Sequence, residues 1–199
     1  MIIHDIEQGT QEWHDIRVGK FTASTFRNFY GKTKIEKLYE KTAERITKVK
    51  SDSVRFSNKH MERGNELEPE ARNLYELLYN TSVREVGFCE LSETVGCSPD
   101  GLVGDDGMIE IKSVDNHVFF KQCLNEKISA VYQTQIQFCL YVTGRSWCDY
   151  IAYNPNFKNS LLVIRVERDE SEIKEIEEKI KAFNLIIDEN IKKFRGKNG

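Results

Sequence analysis

Cys97-Ser98-Pro99-Asp100-Gly101-Leu102-Val103, a turn at Gly104 to Gly107, and Met108-Ile109-Glu110-Ile111-Lys112 form the most informative passage of this 199-residue chain. Its second half alternates apolar and charged residues, which predicts a half-buried β-strand over about 108–114. Side chains two apart on a strand share a face, roughly 7 Å apart along it. Glu110 and Lys112 are therefore expected on one face, with Ile109 and Ile111 turned to the core. The hairpin turn returns Asp100 beside them. Two carboxylates and one ammonium that converge in this way suit a divalent metal with a cation next to it. Such charges are costly to desolvate unless paired or metal-bound. The competing reading is a surface strand whose Glu110–Lys112 pair is solvated and idle.

Around this passage the elements alternate. Thr10 is the expected N-cap of a short helix, and Thr22-Ala23-Ser24 opens a second that runs to Tyr30. Ile35, Leu38, Ala43 and Ile46 line one side of a longer basic helix, and residues 51–61 read as a loop. Leu67, Ala71, Leu74, Tyr75 and Leu78 give an amphipathic helix over 66–79, with Pro69 tolerable in its first turn. Strands are expected near 84–91, 95–98, 101–103 and 108–114, helices near 117–125 and 129–143, and strands at 147–153 and 161–167. A long helix capped by Asp169 runs to about Phe194. This order is an α/β fold, a central mixed β-sheet flanked by α-helices, in one domain over 1–199.

Hydrophobic content of 39% and charged content of 31% describe a soluble globular protein. No apolar run approaches bilayer-spanning length, and Met1-Ile2-Ile3-His4-Asp5 lacks a signal-peptide pattern. A cytoplasmic protein without a membrane partner is expected. Cys89, Cys97, Cys123, Cys139 and Cys148 contain no CxxC pair and read as reduced core thiols, against an iron–sulfur or structural zinc site. His4, His14, His60 and His117 show no ligand spacing and read as surface residues. The net charge of −3 conceals an asymmetry. Residues 17–50 hold ten Lys/Arg and three Glu, a net of +7, whereas 167–189 hold nine acids and four bases, a net of −5. That division suggests one face for a polyanion and another that avoids it, or two solvated helix faces of opposite sign.

Two further features bear on chemistry. In helix 129–143, Gln135 shares the buried face of Tyr132, Ile136, Cys139 and Leu140, and a buried glutamine must find partners. Those partners are either backbone groups or a metal centre where it orients a phosphate or water. Glu66 and Glu68 stand at the head of a helix, where negative charge suits the dipole. Glu68 beside Asp100 and Glu110 would complete an oxygen-rich cation site of the kind Mg²⁺ or Mn²⁺ prefers over zinc.

Glu7-Gln8-Gly9 with Trp13-His14, Arg17, Gly19 and Thr22-Ala23-Ser24, then Gly64 and Glu68, then Ser98-Pro99-Asp100-Gly101-Leu102, then Glu110 and Lys112, then Tyr132, Gln135 and Gln137, together resemble the lambda exonuclease (YqaJ-like) viral recombinase nucleases. Five motifs fall in that family's order over about residues 7–153, and Val166-Glu167-Arg168-Asp169-Glu170 extends the resemblance. Ser113-Val114 departs from it, since close relatives often carry Cys-Pro after the lysine. The family belongs to the PD-(D/E)XK nucleases, which implies a restriction-endonuclease-like core.

The resemblance implies that Asp100 and Glu110 bind Mg²⁺ (or Mn²⁺), with the Ile111 carbonyl as a further ligand and Glu68 holding metal directly or through water. Lys112 would touch the attacking water, and Gln135 would position that water or the scissile phosphate. Arg17 and Ser24 match the family's pocket for a 5′-phosphate, with Ser98 as an added contact; Ser24 near a helix N-terminus suits an anion independently. Lys32, Lys34 and Tyr132 are candidate DNA contacts. Met61 either packs beneath its loop or wedges between bases. The activity implied is 5′-to-3′ exonucleolysis from double-stranded DNA ends, by a ring-shaped homotrimer of phage or prophage origin working with a single-strand annealing recombinase. The alternatives are an endonuclease or a single-strand exonuclease of the CRISPR-associated type without its iron–sulfur cluster. A non-catalytic DNA-end adaptor would have lost an acid or the lysine, and none is missing.

Overall fold

Cap chemistry and hydrophobic spacing set the order of elements in the computed structural model, which describes residues 1–50 and 59–198, with backbone alone for 59–65 and 198. The chain runs β1 (Ile2–His4), α1 (Gln11–Ile16), β2 (Phe21–Thr22), α2 (Ala23–Phe26), a 3-10 turn (Arg27–Tyr30), α3 (Lys34–Thr47) and α4 (Lys59–Tyr79). It continues β3 (Val83–Arg84), β4 (Phe88–Ser92), β5 (Val95–Cys97), β6 (Gly101–Val103), β7 (Gly107–Ser113), α5 (Asn116–Asn125), α6 (Ala130–Thr143), β8 (Trp147–Tyr153), β9 (Leu161–Glu167) and α7 (Glu170–Asn198). The Thr10 hydroxyl accepts the Trp13 amide at the start of α1, and Ser129 caps α6 through the Tyr132 amide. Asp169 Oδ1 accepts the amides of Ser171 and Glu172 and starts α7.

The α/β arrangement expected from the sequence holds, with the strands divided between two mixed sheets. One runs β3-β6-β7-β8-β9, the other β1-β4-β5-β2. β7 and β8 are parallel, from Gly107↔Trp147 to Ser113↔Tyr153, and α5 and α6 make the crossover that such a pair needs. On one face of the larger sheet Ile109, Ile111, Ile151 and Tyr153 pack with Ala71 and Tyr75 of α4. On the other, Met108, Cys148, Tyr150 and Ala152 pack with Phe119 of α5 and Ile136, Cys139 and Leu140 of α6. α7 lies against α3 and α6.

Several expectations change. β7 is not half-buried: Gly107 to Ile111 are all buried, because two strands flank it and helices cover both faces. The run expected as one strand over 84–91 breaks at Glu85 to Gly87, and its halves enter different sheets. Gly87 permits the break, since a Cβ there would meet the Ile6 carbonyl at 2.0 Å. α4 begins at Lys59 within the expected loop, so Pro69 sits inside the helix and leaves the Asn65 carbonyl without its i+4 amide. The fit is tolerable because Pro69 is exposed. Cys123 is exposed, whereas the other four cysteines are buried and free as expected. His4 pairs with Glu90 at 2.8 Å instead of standing free on the surface. The basic and acidic segments do not form opposed faces: α3 and α7 pack together, with Arg45 hydrogen-bonded to Asn184 at 2.8 Å.

Candidate active site

β6 is three residues long and begins at Gly101, opposite Ile109, so β7 continues four residues, Glu110 to Ser113, with no β6 residue beside it. Pro99, next upstream, cannot donate to a ladder. The Asp100 carboxylate supplies the missing partner, and its Oδ2 accepts the Ile111 amide at 2.6 Å. The N–H and C=O of one strand residue point to the same side. The Ile111 carbonyl therefore faces the Asp100 side as well. Gly101 lets β3 pack close, since a Cβ there would fall 2.1 Å from a Val83 methyl.

Glu110 is fully buried on the α6 face. Its Oε1 receives the Lys112 ammonium and the Gln135 amide, the latter at 2.5 Å, while Oε2 is buried without a hydrogen-bond partner. Burial raises the Glu110 carboxyl to about 7; Asp100 repulsion adds to this, Lys112 opposes it, and Glu68 adds further. Glu68, reaching in from α4, is likewise raised to about 7 by burial and by Asp100. Lys112 shows the converse: burial disfavours its charge, but Glu110 and Asp100 outweigh that and hold the ammonium well above its usual range. The Lys112 Nζ also lies 5.5 Å from the Tyr132 ring centre.

Three carboxylates, one of them fully buried, thus repel one another where β7 extends past the start of β6. Their all-oxygen donor set, the buried free oxygen of Glu110 and the direction of the Ile111 carbonyl fit a hard divalent cation. In the present rotamers, no three His, Cys, Asp or Glu side chains among the described residues already form a metal cage. Glu68 is held by Arg72 at 2.5 Å, and Glu110 by Lys112 and Gln135.

A second pocket adjoins the first through Ser98, two residues before Asp100. Arg17 donates to Ser98 Oγ at 3.2 Å and to Ser24 Oγ at 3.1 Å, and stacks on Trp13 at 3.9 Å. Trp13 Nε1 donates to the same Ser98 oxygen at 2.8 Å and to the Gly87 carbonyl at 3.1 Å. Desolvation lowers Arg17 to about 10, and no carboxylate pairs with it among the described residues. A half-buried guanidinium, held by two hydroxyls and by the Trp13 ring, is suited to a phosphate. A cleft of about 770 Å³ lined by Gln8, Trp13, His14, Glu68, Arg72 and Asp100, among others, opens beside both groups.

The structure brings together Asp100, Glu110, Lys112 and Gln135, with Glu68 and Tyr132 at their margins, and separately Arg17, Ser24 and Ser98. Lys34 lines a hollow with Glu175 and Glu178 of α7 and not the cleft beside Asp100; Lys32 is exposed in the preceding turn. The Met61 side chain lies outside the described residues. Gln137, quoted above with the catalytic motifs, is a fully buried brace: it donates to the Glu167 carbonyl and accepts the Asp169 amide. Sequence reasoning missed Arg72. Its only sequence signal is its place four residues after Glu68, one helical turn on.

Comparison with known proteins bears on this arrangement. No curated protein matches the chain. Among solved structures, an alkaline exonuclease (LHK-Exo) from Laribacter hongkongensis is 33% identical, with a TM-score of 0.86, over 95% of this chain and 98% of that one. The structure of LHK-Exo in complex with dAMP is 34% identical with the same TM-score and coverage. A phage related exonuclease from Haemophilus somnus 129PT, 17% identical with a TM-score of 0.68 over 88% of this chain and 96% of that one, shares the fold. The family model for the YqaJ-like viral recombinase domain matches residues 12–146, a span that holds Arg17, Ser24, Glu68, Ser98, Asp100, Glu110, Lys112 and Gln135, and the chain belongs to that family.

Proposed function

We propose that the chain is a Mg²⁺-dependent exonuclease that enters DNA duplexes at a phosphorylated 5′ end, removes 5′-mononucleotides and leaves a 3′ single strand. Family membership and the likeness to an alkaline exonuclease make it a DNA nuclease. The observation that carries the finer reading is Arg17, paired with no carboxylate among the described residues and braced by Ser24 and by Ser98, with Ser98 two residues from Asp100. A terminal phosphate held there is tied to the hydrolytic carboxylates by the short Ser98-Pro99-Asp100 segment, which favours cutting next to an end.

In this reading Asp100, Glu110, Glu68 and the Ile111 carbonyl would hold Mg²⁺, or Mn²⁺ in its place, and the bound cation would supply water activation and charge stabilisation at the leaving 3′ oxygen. Lys112, kept charged by Glu110 and Asp100, donates to the water and to the charge that builds on the phosphate. Gln135 fixes the Glu110 carboxylate through one amide N–H and leaves its carbonyl to orient the water. Tyr132 walls the Lys112 side. Lys32 and Lys34 attract backbone phosphates from further out. Family resemblance supports a ring-shaped homotrimer, a single-strand annealing recombinase as partner, and the cytoplasm of a bacterial host. No described helix is long and apolar enough to cross a membrane.

The test uses end-labelled linear duplex bearing a 5′-phosphate or a 5′-hydroxyl, and covalently closed circles, each with Mg²⁺ or EDTA. Mononucleotides should appear from the phosphorylated end in Mg²⁺ alone. Arg17→Ala should erase the preference for phosphorylated ends. Efficient cutting of circles would establish an endonuclease instead, and an unchanged end preference in Arg17→Ala would remove the pocket assignment.

A further inference from the structure

Arg72 is 8% exposed, and a single guanidinium makes three contacts there. One Nη donates to Glu68 Oε1 at 2.5 Å and to the Asp100 carbonyl at 3.3 Å; the other reaches Glu85 Oε2 at 2.8 Å. Nε is buried without a hydrogen-bond partner. The three partners come from α4, from the residue just before β6, and from the link between β3 and β4. Glu85 is 70% exposed, so that arm is screened by solvent and contributes little. The two inner contacts tie the Glu68 carboxylate to the backbone of Asp100.

We infer that Arg72 is the positioning residue of the cation site: it fixes the place and direction of the Glu68 carboxylate relative to Asp100, so that a divalent cation meets both carboxylates together. This rests on the reading of Glu68, Asp100 and Glu110 as cation ligands. The planar fork is what the task requires, since one nitrogen carries two N–H groups in fixed directions, for the carboxylate and for the carbonyl. A lysine ammonium keeps the charge but loses that fixed geometry. In this reading Arg72 acts on the cation through Glu68 and is not itself a ligand. Two simpler roles compete. In one, Arg72 only pins α4 to the sheet. In the other, it is a counter-ion that must leave before a cation binds.

Mn²⁺ binding to DNA-free protein, followed by electron paramagnetic resonance of the free ion, separates these roles without any turnover. Removing a group that orients a metal ligand costs about 10–100-fold in metal affinity. Arg72→Gln should therefore weaken Mn²⁺ binding by about tenfold or more. Arg72→Lys should weaken it by less, and its thermal midpoint should stay close to that of the wild type. In cleavage assays both variants should lower kcat and raise the Mg²⁺ requirement, with KM for duplex ends unchanged. Wild-type Mn²⁺ affinity in both folded variants overturns the positioning role in favour of a structural pin. Tighter binding in Arg72→Gln overturns it in favour of the counter-ion. A wild-type protein that binds no Mn²⁺, or a Glu110→Gln variant that binds it undiminished, overturns the cation site itself and this inference with it.

Discussion

Lys112 supports the fold and is the proposed charge stabiliser of the reaction. Its ammonium neutralises a carboxylate that is fully buried, and its own side chain is 24% exposed, enough to reach a substrate. Positioned proton donors and charge stabilisers contribute about 10²–10⁴-fold to a rate. Lys112→Ala should therefore lose about 10²–10⁴-fold in release of nucleotides from duplex ends. Binding of those ends, read by fluorescence anisotropy, should persist. Near wild-type turnover from this variant would sink the assignment of the whole strand. Asp100, Glu110 and Lys112 are readable in the sequence because charge interrupts an apolar strand, and interruption is visible locally. Arg72 was not readable: a basic residue one helical turn after an acid is what any solvated helix displays. Only the approach of the Asp100 carbonyl, 28 residues away, distinguishes it.

At the scale of elements, the site depends on how firmly α4, β7 and β8 hold together. Asp149 of β8 is 2% exposed. It accepts the Tyr75 hydroxyl from α4 at 2.7 Å and two bonds from Arg165 of β9, at 2.5 and 3.0 Å. Arg165 in turn stacks on Trp147 at 3.5 Å. Asp149→Ala orphans a buried hydroxyl and removes charge-assisted bonds, and should cost about 2–4 kcal/mol. Tyr75→Phe leaves the Asp149–Arg165 pair intact and should cost about 1 kcal/mol. Urea unfolding with unchanged m-values measures both, and equal costs would mean that the network is not centred on Asp149. Long elements such as β8, β9, α6 and α7 were legible from their periodicity and caps. β1 and β2, three and two residues long, were not, because so short a segment carries no period. The start of α4 was missed because Pro69 reads as a first-turn residue unless its exposure is known.

Across the whole molecule, the smaller sheet was the least legible part, since its strands come from segments far apart and pair by tertiary contact. Charge gives a comparable lesson. The basic and acidic segments stood out by count, but no count reveals that α3 and α7 pack side by side. One ion cluster links the small sheet from edge to edge. Its strand order is β1-β4-β5-β2, and Glu90 on β4 reaches His4 of β1 at 2.8 Å and Lys20, just before β2, at 2.7 Å. Lys20 also donates to the Glu93 carbonyl at 2.9 Å. The hydrogen bond from Lys20, ahead of that from His4, holds the Glu90 carboxyl below its ordinary value, although partial burial opposes this. A carboxylate depressed in the folded state contributes stability that is fully present above its unfolded pKa, about 4.3, and is lost as pH falls through the folded value. The contribution is therefore complete at neutral pH and fades on the acid side. Glu90→Gln removes the titrating group but keeps its shape. The variant should melt lower than wild type at pH 7, and the gap should narrow steadily below about pH 4.3 as wild-type Glu90 takes up its proton. Thermal midpoints followed by circular dichroism from pH 7 to pH 3 would measure this, and a gap independent of pH would show that Glu90 holds the sheet by packing and not by charge.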